Sequence, residues 1–151
     1  MNKLNLVYVG IAFILSGIMT ANCQSSYASE GPQPDDRYKI IKPIYLMATY
    51  ESLNNRKISK ETARAYLESK QYAKTAWVAF QSEVPVGTIM TVVSTAPKIW
   101  HLPFFANRYF VRLEPDPSRG LDVVLELNRG IEGTLDGLNP EIFERYIDSK
   151  K

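Results

Sequence analysis

Apolar positions along this chain keep changing rhythm, and the changes divide it into an oily start, a polar stretch and a patterned body. Residues 4–19 form an uncharged, mostly apolar run with Lys3 ahead of it and the single cysteine, Cys23, behind it. Residues 24–36 (QSSYASEGPQPDD) have no apolar period at all. From Thr75 onward apolar and polar residues alternate. The cleanest case has Leu121, Val123, Leu125 and Leu127 on one side, and Asp122, Val124, Glu126 and Asn128 on the other. A period of two predicts a half-buried strand.

The same reading predicts strands over 44–50, 77–81, 88–93 and 108–113, with a short one near 131–135. Pro43 lacks a backbone donor and is placed at a strand start or edge. Residues 115–120 (PDPSRG) make a hairpin-type turn in which Gly120 is free to take positive φ, and Asn128-Arg129-Gly130 makes another. Two helices are expected. One covers about 59–71, with Ser59 as N-cap, Ile58 as staple and a narrow apolar stripe of Ala63, Tyr66 and Leu67. The other covers about 140–148, headed by Asn139 and Pro140, with Ile142, Phe143, Tyr146 and Ile147 closing an open end of the sheet. The fold class expected is therefore mainly β (α+β). It is a small antiparallel sheet of five to six strands curled into an SH3-like or half-open barrel, with one surface helix and one C-terminal helix.

Residues 84–92 (VPVGTIMTV) resemble the Gly-Thr-x-x-x-Val strand start of bacterial SH3-like domains. The resemblance spans under ten residues and implies a small barrel; it implies no activity.

The leader reads as an export signal, since a short positive flank, an apolar stretch shorter than a comfortable span and small residues at the exit are its grammar. If Cys23 is lipidated, residues 1–22 are a lipoprotein-type signal peptide, although Asn22 departs from the small residue usual before the cysteine. The alternative is a cut after Ala28, where Ser26 and Ala28 supply the two small side chains, or retention of the leader as an anchor. Residues 23–36 then act as a flexible tether, because such composition buries too little surface to offset chain entropy. Residues 37–151 form a single globular domain of about 115 residues, an ordinary size for one core. Each route places that domain in the cell envelope, facing the periplasm or exterior, or leaves it periplasmic or secreted.

With Cys23 the only cysteine, the body has no staple and must be held by its core alone. Thiol nucleophiles, dithiol redox chemistry and zinc ribbons are excluded from it. Lys3 is the leader's only charge, so removing it from 18 basic residues against 16 acidic ones leaves a balance of about +1. No basic stripe gathers, and nucleic acid is not expected as a partner. No cofactor and no metal is expected.

Candidate chemistry is sparse. His101 is the sole histidine and lacks a neighbouring nucleophile motif, so it reads as a packing or hydrogen-bonding residue rather than a general base. Glu114, Asp116, Asp122, Glu126, Glu132 and Asp136 read as solvated strand and turn residues, and no calcium-loop string occurs. Residues 96–109 stand out, carrying Trp100, His101, Phe104, Phe105, Arg108 and Tyr109 around Pro97 and Pro103. Aromatics with arginine on a long connection suit stacking on a glycan or gripping a protein, and the competing reading is a lid folded over one end of the barrel. Trp77 and Phe80 fall on opposite strand faces, so one of them can join such a patch. The function expected is a non-catalytic envelope-anchored or secreted binding module for a protein or cell-wall partner, with an inhibitor or immunity-type role included. The alternatives are a small envelope enzyme acting on glycan or peptide, and a structural lipoprotein.

Overall fold

A computed structural model describes residues 31–97, 107–127, 132–134 and 137–147. Among these residues there are ten strands: β1 Arg37–Ile40, β2 Ile44–Tyr50, β3 Ala63–Glu68, β4 Val78–Val84, β5 Ile89–Thr95, β6 Asn107–Glu114, β7 Val123–Leu127, β8 Gly133–Thr134, β9 Gly137–Leu138 and β10 Phe143–Arg145. Eight of them form one sheet in the order β10-β1-β5-β6-β7-β3-β2-β4, while β8 and β9 pair as a separate two-stranded ribbon. All neighbours in the large sheet are antiparallel except β3 and β7, which run parallel with Tyr66 opposite Val124.

Both expected helices are corrected, because among the described residues there is no helix. Over 59–71 the N-cap signals are used for a single turn: Ser59 O accepts from Thr62 N at 3.1 Å and Ala63 N at 2.9 Å. The chain then extends into β3, whose Ala63, Ala65 and Leu67 are buried and whose Arg64, Tyr66 and Glu68 face the other way. Those three apolar residues fit a period of two as well as a helical stripe, and β2 on one side and β7 on the other decide for the strand. Asn139 likewise heads one turn, accepting from Ile142 N and Phe143 N. Phe143 then enters β10 against Ile40 of β1. The expected five to six strands, the wholly antiparallel sheet and the SH3-like barrel are overturned by an open, mixed, eight-stranded sheet. Gly87 does turn with φ 95° just before β5, but the strand it leads into joins a different architecture.

The sheet is strongly curled without closing. Between β4 at one edge and β5 lie five ladder spacings, about 24 Å in a flat sheet. The four residues joining them can span at most about 18 Å. Curvature follows, and it wraps one face around the core. That face carries Ile40, Ile44, Leu46, Ala48, Ala65, Leu67, Phe80, Val84, Met90, Val92, Val111, Leu113, Val123, Leu125 and Leu127, all buried. The β6–β7 turn, with Arg119 and Gly120 at φ 59° and 83°, folds over it and lays the Arg119 guanidinium 4.2 Å above the Phe80 ring. Phe80 is thus the inward member of its pair, and Trp77 is 49% exposed.

Candidate functional site

The outer face of the sheet is where polar chemistry collects. Along β6 the outward row is Arg108, Phe110 and Arg112, and these three have very different surroundings. Arg108 opposes Glu126 across the β6–β7 ladder, with Nε 3.2 Å from Glu126 Oε2 and its side chain only 4% exposed. The approach is an ion pair whose angle falls outside hydrogen-bond geometry. The remaining guanidinium nitrogens donate to Pro97 O at 2.9 Å and, at 3.5 Å, to the Tyr66 hydroxyl. Ala96 N donates to Arg108 O at 2.7 Å. Arg108 therefore ties together the two ends of the connection between β5 and β6.

Beside it lies a group of carboxylates. The parallel register places Glu68 of β3 level with Glu126 of β7, and Tyr45 of β2 lies opposite Glu68. Glu132 reaches in from the segment before β8, and its Oε1 accepts from Ser69 N at 2.7 Å and Ser69 Oγ at 2.6 Å. Burial, then the charges of Glu132 and Glu126, push the Glu68 carboxyl up to about 7, with the Tyr72 hydrogen bond pulling the other way. In turn, the Glu68 charge holds the Tyr72 phenol above its usual range.

Further along β6 the face opens into a groove of about 360 Å³ between β5, β6 and the β6–β7 turn. Phe110 and Val93 give it apolar surface, while Lys60, Arg112, Asp116 and Asp122 bring charge. Lys60 Nζ sits 3.5 Å from Asp122 Oδ1, and Arg112, 66% exposed in its side chain, sits 3.5 Å from Glu114. None of the three glutamates of the carboxylate group lines this groove.

Of the residues singled out in the sequence, Trp100, His101, Phe104 and Phe105 lie outside the described residues, as does Cys23. Arg108 and Tyr109 are described, and both are buried. Tyr109 points to the core on the inner face, and its burial raises its phenol pKa. The two are therefore on opposite faces of one strand rather than together on a surface. The helical reading of 59–71 hides Glu68, and Glu132 reads from the sequence as a solvated turn residue. The available signal was the alternation through 63–68, which puts Glu68 on a strand. Among the described residues no group of three histidine, cysteine, aspartate or glutamate side chains could hold a metal ion, and no helix is long and apolar enough to cross a membrane. No protein-family model, no curated protein and no solved structure matches this chain.

Proposed function

We propose that this chain is a non-catalytic binding module of the cell envelope. Its leader exports it, lipid on Cys23 or the retained leader holds it at the membrane, and it recognises a protein or cell-wall partner through the β5–β6 connection. The observation that supports this reading is the way Arg108 pins the root of that connection, with one guanidinium bonded to Pro97 O and paired with Glu126. A rigid root lowers the ordering cost that a recognition segment would otherwise meet on binding, and Trp100, Phe104 and Phe105 are the contact-making side chains it carries. Partners are sought with the full chain as bait against envelope extracts and against isolated wall glycan, alongside Trp100→Ala and Phe104→Ala. Selective loss of one partner with these variants supports the reading. Equal recovery of every partner by all three forms sinks it.

A second reading, a small envelope enzyme acting on glycan or peptide, is favoured by one observation. Glu68, raised to about 7 next to two other carboxylates, has the proton affinity of a general acid near neutral pH. The binding reading stands first because each of these carboxylates already has a protein partner: Tyr72 for Glu68, Arg108 for Glu126 and Ser69 for Glu132. Turnover of a wall-derived glycan or peptide that disappears in Glu68→Gln would reverse that order.

A further inference from the structure

One edge of the large sheet ends on β10, three residues long, and the other on β4, seven residues long. The ladder tells which groups of β4 point away from the sheet. Glu51 N donates to Thr62 O, in register with Thr49 opposite Arg64, so the odd-numbered residues of β2 bond to β3 and the even-numbered ones to β4. Ile44, Leu46 and Ala48 therefore exchange bonds with Val84, Ser82 and Phe80, and Tyr50 N donating to Trp77 O fits the same parity. The backbone groups of Gln81 and Glu83 are left pointing outward. The register shift at Ala48/Thr49 puts the extra residue, Ala79, in β4, and Pro85 follows the strand. Between them runs a regular five-residue edge, Phe80 to Val84, centred on Ser82.

That centre carries an unmet need. The Ser82 hydroxyl is buried and has no hydrogen-bond partner, although a buried hydroxyl without one is costly. We infer that β4 pairs antiparallel with β4 of a second copy of this chain, about a two-fold axis through Ser82. In this register the two Ser82 residues form the close, non-hydrogen-bonded pair, about 4.5 Å between Cα atoms, so that the hydroxyls, turned about χ1 from their buried position toward the edge, come within reach for one to donate to the other. Gln81 and Glu83 of each copy supply the outward N–H and C=O groups that bond across, and Gln81 of one faces Glu83 of the other. No like charges meet. Phe80 meets Val84 on the inner face, extending the two cores toward each other. The regular five-residue edge beyond the bulge, with one charge and no proline, is the kind that pairs unless something blocks it.

The inference stands apart from the binding reading, since it uses neither Arg108 nor the β5–β6 connection. Its test uses the full chain in mild detergent in a Cys23→Ser background, so that each introduced cysteine is the only one. Ser82→Cys is expected to form a disulfide-linked dimer under mild oxidation, at least about tenfold faster than Glu83→Cys, because only position 82 faces itself at the close spacing. Adding Gln81→Lys places opposite charges across the two symmetric contacts and should raise the cross-linking yield at limiting concentration about 2- to 10-fold, and Gln81→Glu should lower it by a similar factor. Gln81→Pro removes an outward N–H, together with the hydrogen bond from Gln81 Nε2 to Tyr72 O, and should abolish the dimer while leaving the circular dichroism unchanged. If that variant unfolds, the lysine and glutamate pair decides. Absence of a Ser82→Cys dimer, equal rates at 82 and 83, preferential linkage through Gln81→Cys, or indifference to the charge at 81 would each overturn the inference. The first of these includes the case in which another part of the chain covers the edge.

Discussion

Arg108 and Arg112 stand four residues apart on the same face of the same strand, yet they belong to different kinds of surface. Arg108 is enclosed, with Pro97 O, Tyr66 and Glu126 around its guanidinium, whereas Arg112 lies at the rim of a groove with a single loose ion pair to Glu114. Two neighbours make the difference. At Arg108 the facing residues are Glu126 on β7 and the chain around Pro97. At Arg112 the face is left open beside Val93 and Phe110. Identical side chains on one strand thus divide into a structural tie and an available contact, and residue type alone does not tell them apart.

The largest expected effect comes from breaking the tie. Arg108→Ala removes the partner of Glu126 in a partly buried setting and should cost about 3 kcal/mol of unfolding free energy in a denaturant titration. Arg108→Ala combined with Glu126→Gln should recover part of that loss, because the stranded charge is gone. A loss no larger than that of Arg112→Ala would erase the contrast between the two arginines.

The acidic group next to Arg108 sharpens the contrast through pH. Glu68 holds its proton up to about 7 in the folded chain, against an ordinary value of 4.5. Between these two values the folded state keeps a proton that the unfolded state has released, so stability falls as pH rises from about 4.5 to about 7. Melting temperature measured across that window should decline in the wild type, and the decline should shrink in Glu68→Gln. A smaller effect is expected from Glu132→Gln. That variant keeps an acceptor for Ser69 but removes a neighbouring charge, and the Glu68 titration followed by carboxyl carbon shifts should move toward lower pH. An unchanged or raised midpoint would contradict the role given to Glu132.

The smallest effect belongs to the exposed arginine. Arg112→Ala should change stability by under about 0.5 kcal/mol, as for most exposed ion pairs. A larger change would place Arg112 in the same class as Arg108.

Much of the strand content is legible without coordinates. β2 occupies the stretch from Ile44 to Tyr50 read from its apolar residues, and β4, β5 and β6 each overlap their alternating segments. Leu121 and, in β7, Val123, Leu125 and Leu127 face inward as their spacing implies, but Val124, which the same alternation places on the solvent side, is fully buried. Tyr66 and Phe110, its neighbours across the two flanking ladders, account for that. Capping residues misled twice for one physical reason. Ser59 and Asn139 satisfy free backbone donors at the head of a single turn as readily as at the head of a helix. Whether the chain continues as helix depends on what waits beside it. The candidate site was legible only in Arg108, and its acidic partners come from β3, β7 and the segment before β8, far apart along the chain.

What the amino-acid order determined by itself is local: period-two segments, the turn at 115–120 with its positive-φ Gly120, a body without thiols, and an oily N-terminal run. Tertiary structure alone decided that Ala63, Ala65 and Leu67 lie on a strand, that β3 and β7 run parallel, that the sheet stays open at β4, and that Arg108 is enclosed while Arg112 is not. The reason is that hydrogen-bond ladders and buried charges are completed by partners dozens of residues away. A short segment with two acceptable periods takes whichever one its distant neighbours can satisfy.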